Sequence, residues 1–203
     1  MKRNIDCPCG RKFSIDTEEE IDLDQNSEYL EKINNGKFMI YACPDCGKIH
    51  KPEYQIILLW KSKNIELEVL PEIERGEFYR GKKEDVSRET VIGYPEMAER
   101  IAVIQDNLEP VVIETLKYYL LVKAEENYPD KEINARYFGK NSFIEFHLDG
   151  IRDDEVAVMK VPQQVYKKAC EDYRKHPKKD IYTSLRLRSY LSVNNIFKPG
   201  LYK

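Results

Sequence analysis

Four of the five cysteines in this sequence form two similar short motifs, and they are the residues best suited to chemistry. The motifs are Cys7-Pro8-Cys9-Gly10 and Cys43-Pro44-Asp45-Cys46-Gly47. Two cysteines on a tight turn followed by glycine favour metal binding, because backbone amides can point at the thiolates and glycine accepts a positive φ. Zinc prefers four such ligands in tetrahedral geometry. The pattern therefore predicts a zinc site made by Cys7, Cys9, Cys43 and Cys46.

The first motif is one residue shorter than the second, which weakens the case for its first cysteine. Two sulfurs on one zinc ion are about 3.8 Å apart, whereas side chains two residues apart on an extended strand are farther from each other. Chelation therefore requires a bend, which Pro8 and Gly10 can supply. Cys7 is the ligand with the weakest support, and His50 or a side chain from a partner are alternatives. A degenerate or metal-free site and a redox pair also remain open as interpretations of the four cysteines.

Few other residues point to catalysis. The sequence contains no phosphate-binding glycine loop, nucleophile elbow or His-Glu-x-x-His motif. Cys170 is predicted to be a buried or unreactive thiol, and His147 and His176 belong to no spaced motif. A site of four thiolates is closed, whereas a catalytic zinc keeps a position for water. The sequence therefore favours a non-enzymatic protein, with a metal-dependent enzyme as the less favoured class.

Composition and cysteine usage indicate a globular protein of the cytoplasm. Hydrophobic residues make up 41% and charged residues 34% of the 203 residues, too apolar a mixture for a disordered chain. The first residues contain no apolar stretch typical of a secretion signal, and the apolar run 56–60 is far too short to span a membrane. An odd number of cysteines in such a chain argues against a disulfide framework.

Apolar spacing predicts the elements that must hold the two motifs. Alternation on either side of the first motif indicates strands, and residues 27–35 and 38–42 read as a helix and a strand that lead into the second motif. We then predict a hairpin over 54–60 and 65–70, an exposed linker over 74–92, helices starting near Pro95 and Pro110, strands near 133–138, 142–148 and 155–161, and a helix after Pro162. No structure is predicted for residues 180–203.

These elements predict the α+β class in two parts. Residues 1–125 would form a zinc-ribbon-like β module together with a buried helical hairpin. Residues 126–203 would form a smaller mixed α+β module with a basic tail.

The basic tail is the strongest charge feature of a chain whose net charge is −3. Residues 161–203 contain ten Lys or Arg and three acidic residues, a net +7, and the rest of the chain therefore carries −10. Basic residues interleaved with tyrosines and Phe197 could bind nucleic acid. Packing of this segment against the acidic remainder is the favoured interpretation. We expect an unidentified protein partner, with nucleic acid as the alternative and no membrane partner.

The two cysteine motifs and their surroundings resemble the CpXC family. The likeness rests on the paired motifs, the helix inserted between them, the strand that enters the second motif, the hairpin that ends at Pro71, and the segment 91–101 with the helix after it. It covers roughly residues 1–125. The family is a bacterial and archaeal group of uncharacterised function. The resemblance implies a zinc-ribbon-like metal site at Cys7, Cys9, Cys43 and Cys46, and it implies no reaction.

Overall fold

A computed structural model describes residues 1–81 and 87–198 of the chain. The chain divides into two compact units, Met1–Ala98 and Glu99–Lys203, and the division falls inside one helix. Each unit combines helices with small sheets, which confirms the predicted α+β class. The predicted domain boundary between residues 125 and 126 stays a prediction.

Unit 1 is built mainly from short strands. Its elements in chain order are β1 (Lys2–Asp6), β2 (Lys12–Asp16), β3 (Glu20–Asp22), α1 (Ser27–Asn34), β4 (Tyr41–Ala42), β5 (Ile49–His50), β6 (Ile56–Trp60), β7 (Ile65–Leu70), α2 (Arg75–Tyr79) and β8 (Glu89–Ile92). Two 3₁₀ turns, Lys61–Lys63 and Glu72–Glu74, connect them. The unit thus supplies two separate small hairpins, β1–β2 and β4–β5, together with the strands β3, β6, β7 and β8.

Strands β3, β6, β7 and β8 of unit 1 pair in the order β8-β7-β6-β3. The β6–β7 pair is an antiparallel hairpin with Trp60 opposite Ile65, as the sequence predicts, and β8 and β3 join it in parallel. Ile56, Leu58, Leu67 and Val69 lie on one buried face because side chains alternate along a strand. This buried face gives unit 1 a core that does not depend on the cysteines.

Unit 2 places helices against a three-stranded sheet. Its elements are α3 (Tyr94–Gln105, shared with unit 1), α4 (Pro110–Asn127), β9 (Asn134–Lys140), β10 (Phe143–Arg152), β11 (Glu155–Pro162), α5 (Gln163–Lys175), α6 (Asp180–Ser184), β12 (Arg186–Leu187), β13 (Tyr190–Leu191) and α7 (Asn194–Phe197). Strands β9, β10 and β11 form an antiparallel meander in the order β11-β10-β9, and β12 pairs antiparallel with β13. Ile144, Phe146 and Leu148 of the central strand are buried in the core with α4.

The structure differs from the sequence prediction over residues 74–92. The predicted exposed linker contains α2 and β8, and residues 82–86 of it lie outside the described range. The high charge of this region predicts exposure, but Arg75 is buried. Its guanidinium contacts the carboxylates of Glu72 and Glu96 at 2.5 and 2.8 Å. The strand predicted over 38–42 is also shorter, since β4 covers only Tyr41–Ala42. No helix in the described part of the chain is long and apolar enough to cross a membrane.

Candidate metal centre

Each cysteine motif lies at the tip of one antiparallel hairpin. The first follows β1, which pairs with β2 from Lys2 opposite Asp16 to Asp6 opposite Lys12. The second lies between β4 and β5, where Ala42 is opposite Ile49. A hairpin tip is a turn, so successive side chains do not alternate between faces there as they do along a strand. Both cysteines of a motif can consequently face the same point.

The shorter first motif closes as a tighter turn. The Cys7 amide donates to the Arg11 carbonyl at 2.8 Å, and the Gly10 amide donates to the Cys7 carbonyl at 2.9 Å. This turn is the bend that the sequence requires of Cys-x-Cys. Gly10 has a φ of +92°, a conformation that side chains oppose.

The second motif repeats this arrangement with one more residue. The Cys43 amide donates to the Lys48 carbonyl at 2.9 Å, and the Gly47 amide donates to the Cys43 carbonyl at 2.9 Å. Gly47 has a φ of +71°. Each motif is thus closed by an equivalent pair of backbone hydrogen bonds, and the additional residue of the second motif lies within its turn. The cysteines of both motifs can therefore face the same point.

The four sulfur atoms form one cluster. Cys7 Sγ lies 3.6 Å from Cys46 Sγ, and Cys9 Sγ lies 3.7 Å from Cys43 Sγ. All four lie within 4.8 Å of one another. Two sulfurs bound to one zinc ion are about 3.8 Å apart, so the cluster has the dimensions of a four-thiolate metal site. Each close pair joins one motif to the other.

Burial divides the cluster into an inner and an outer pair. Cys7 and Cys43 are buried, whereas Cys9 and Cys46 are exposed. Burial opposes ionisation of Cys43, but the amides of Cys46 and Asp45 and the neighbouring thiols donate to its sulfur and lower its pKa to about 7. At Cys43 the amides therefore favour a thiolate, the form in which cysteine binds metal, whereas the pKa values of Cys7 and Cys46 are raised.

One ion pair between the motifs was not predicted from the sequence. Arg11 Nε lies 3.7 Å from Asp45 Oδ1, and both side chains are about half exposed. Asp45 is the additional residue of the longer motif, so the difference in length between the motifs is the sequence signal from which it could have been found. The pair connects the two turns from outside the sulfur cluster.

The other proposed metal ligands lie outside this cluster. Among residues 1–81 and 87–198, the side chains grouped closely enough to hold a metal ion are the four cysteines, without His50. His50 packs edge-on against the ring of Phe13, with the ring centroids 5.7 Å apart. Cys170 is half-buried on α5, and His147 stacks on Phe138 at 3.9 Å. The structure thus favours the cysteines over His50 as the grouped donors.

The fold and the sulfur cluster define a class of protein: an α+β chain in which two cysteine hairpins form a site compatible with a metal ion. The chain belongs to the CpXC family: the family model, described as CpXC protein, matches residues 5–117. This match confirms the family predicted from the sequence. The chain is also 32% identical over 213 residues to an uncharacterized protein of Treponema pallidum (strain Nichols), covering 94% of this chain and 96% of that protein. No solved structure matches the chain significantly.

Proposed function

We propose that the protein binds one structural zinc ion through Cys7, Cys9, Cys43 and Cys46 in a zinc-ribbon-like site. The observation that carries the proposal is the grouping of four sulfur atoms within 4.8 Å at two hairpin tips. Four thiolates are the ligand set of structural zinc sites, and soft sulfur donors exclude magnesium and calcium. Thiolates of this kind persist where thiols stay reduced, which supports a cytoplasmic location.

The role of the ion would be to connect the two cysteine hairpins. The β4–β5 hairpin has only two residues in each strand, and an isolated two-stranded hairpin is marginally stable in water. Zinc bonds between its tip and that of β1–β2 would supply the missing stabilisation. A complete sulfur shell leaves no position for a reacting water molecule, which favours an interaction or scaffold role over catalysis. We propose an unidentified protein as the partner of this module.

Metal analysis of the full-length protein, purified without added zinc, tests the proposal. We expect about one zinc per chain, the stoichiometry of a single tetrahedral four-cysteine site. Cys43→Ser should lose the metal because this cysteine is buried in the cluster and contacts Cys9. Cys170→Ser is the matched control, since it removes a thiol outside the cluster and should retain the metal. The structural role would be refuted if the purified wild-type protein contained no metal and the Cys43→Ser variant folded as the wild type does.

Nucleic-acid binding by segment 161–203 remains the alternative function, but several aromatic side chains in the described part of this segment, residues 161–198, make contacts within unit 2. The Tyr166 hydroxyl accepts a hydrogen bond from the Glu109 amide at 2.8 Å, and Tyr173 packs against Tyr182 at 4.9 Å. Tyr190 is fully buried. These contacts favour the interpretation in which the basic segment packs on its own chain. Retention on single-stranded DNA or RNA that falls steeply with salt would revive the alternative.

A further inference from the structure

Strand β11 is an exposed edge of the unit 2 sheet. In the described part of the chain, β10 is its one strand neighbour, so the backbone groups on its other side have no strand to pair with. Although β11 is rich in apolar residues, none of its eight residues is buried. Val156 and Val158 are 53% and 50% exposed. Native sheets normally cover or charge such an edge, because it is a template for pairing with another chain.

The outer face of this edge is complementary to itself. Val156, Val158 and Lys160 occupy alternate, exposed positions of β11, and Asp154 lies in the turn before the strand, two residues ahead of Val156. If two copies pair antiparallel about a twofold axis at Ala157, Asp154 lies opposite Lys160 of the second copy and Val156 lies opposite Val158. The same pairings repeat on the other side of the axis. Two ion pairs would then flank a cluster of four valines.

Other registers of the same edge lose this match. Since a twofold axis normal to the sheet keeps each side chain on its own face, the register can shift only in steps of two residues. An axis at Val158 would place Val156 opposite Lys160, and an axis at Val156 would place Asp154 opposite Val158. Only the register centred on Ala157 pairs valine with valine and acid with base.

The two charged residues at the ends of the edge, Asp154 and Lys160, are available for ion pairs with a second copy. Both are exposed, and neither Asp154 nor Lys160 makes an ion pair within residues 1–81 and 87–198. Glu145, the cross-strand neighbour of Lys160, instead contacts His147 at 3.1 Å. Lysine on an edge strand can by itself discourage pairing. In the antiparallel pairing about Ala157, Asp154 of the second copy would lie opposite this lysine and would neutralise it.

We propose that the protein forms a symmetric dimer by antiparallel pairing of β11 with β11 of a second copy, centred on Ala157. The two three-stranded meanders become one six-stranded sheet. An interface of this kind is isologous, so it closes at two chains and does not propagate into fibres. Its contacts all lie within unit 2, and it does not require the zinc site.

Sedimentation equilibrium of the full-length protein tests the proposal. The wild-type protein should have the mass of two chains. Val156→Lys combined with Val158→Lys places lysines opposite each other at both valine pairs and should give a monomer. The matched control is Phe138→Lys, which adds a lysine at a 64% exposed apolar position on β9, the opposite edge of the same sheet. This control should remain a dimer.

A charge exchange tests the register. Lys160→Glu places two acids opposite each other at each end of the edge, and Asp154→Lys places two bases there. We expect each variant alone to dimerise at least about tenfold more weakly than the wild type, since both ion pairs become repulsive. A one-to-one mixture should recover a heterodimer because every acid then faces a base. Circular dichroism melting of each variant verifies folding, which matters because Asp154 has a φ of +58°.

A disulfide provides a test that does not depend on charge. Residues opposite each other in an antiparallel pair have Cα atoms about 4.5–5.5 Å apart, a distance that a disulfide spans. Ala157→Cys in a Cys170→Ser background should therefore cross-link to itself with glutathione disulfide as the oxidant. Val161→Cys in the same background lies away from the axis and should not.

The outcomes separate the proposal from its competitors. A monomeric wild-type protein, or a dimer that dissociates with Phe138→Lys and survives the two valine changes, would overturn it. A dimer in which the charge-exchanged variants fail to recombine, or in which Ala157→Cys does not cross-link, would overturn the register. Binding of a different protein to the β11 edge of a monomeric chain would equally overturn it.

Discussion

The amide of Cys7 donates to the carbonyl of Arg11 at 2.8 Å, which closes the first cysteine turn over five residues. The corresponding bond of the second turn spans six residues, from Cys43 to Lys48, at 2.9 Å. Both turns therefore end in the same backbone contact despite their different lengths. The sulfur cluster depends on these two closures, and each closure contains a glycine with positive φ.

Gly47→Ala should destabilise the protein through the backbone alone. No atom lies within 4 Å of the added Cβ, but the φ of +71° is unfavourable for alanine. We expect the free energy of unfolding to fall by about 1–2 kcal/mol, measured by urea denaturation. Gly139→Ala is the control, because it also meets no atom within 4 Å and has no positive φ. Equal losses in the two variants would contradict the assigned role of Gly47.

Zinc should protect four of the five thiols from alkylation. A metal-bound thiolate does not react freely, whereas a free and exposed thiol does. With N-ethylmaleimide, we expect at most one adduct on the zinc-loaded native chain, at the half-buried Cys170. After chelation, the exposed Cys9 and Cys46 should react first. Mass spectrometry of peptides counts and locates the adducts. Reaction at Cys9 or Cys46 that is equally fast with and without zinc would argue against metal ligation.

Lys117→Met should be strongly destabilising. The buried ammonium lies 3.0 Å from carboxylate oxygens of both Glu99 and Glu114. Burial raises the pKa of Glu99, and Lys117 offsets this by stabilising the ionised form. Removal of the lysine leaves two buried acids without their cation, which costs about 3–5 kcal/mol in the free energy of unfolding.

The matched control for that change is Lys123→Met on the exposed face of the same helix. We expect a change within about 0.5 kcal/mol for this control. Urea denaturation monitored by circular dichroism measures both variants. Similar losses at the two positions would show that helix propensity rather than charge burial decides the result.

Asp24 should contribute stability that depends on pH. The hydroxyl and amide of Ser62 donate to its carboxylate and lower its pKa below the usual 3.8. A lowered folded-state pKa contributes stability above the unfolded-state pKa, and this contribution disappears as the pH falls through the folded value. Asp24→Asn should therefore cost more stability at pH 6 than at pH 3.

Urea unfolding of the wild type and of Asp24→Asn at several pH values measures this difference, in which metal release common to both proteins cancels. Asp153→Asn is the control, because this acid lies in an exposed turn. A cost of Asp24→Asn that does not change with pH would contradict the assigned hydrogen bonds.

Several elements could be predicted from the sequence because their signals are local. The β6–β7 hairpin follows from two apolar runs around a polar turn, and α4 begins at Pro110 as expected of proline in a first helical turn. The region 74–92 could not be predicted in this way. Arg75 is buried where its guanidinium contacts Glu72, Glu96 and the Ile92 carbonyl, and Glu96 is 21 residues away in the chain. Partners at that separation leave no periodic pattern.

The sequence by itself determined the family, the α+β class and which cysteines belong together, because paired motifs and hydrophobic periodicity are written in neighbouring residues. Only the tertiary structure decided that Cys7 joins the cluster without His50, and that β11 lies at the edge of its sheet. Both depend on where distant segments meet. The bend of the first turn brings Cys7 within 3.6 Å of Cys46, 39 residues away, and strand order determines which backbone groups remain unpaired.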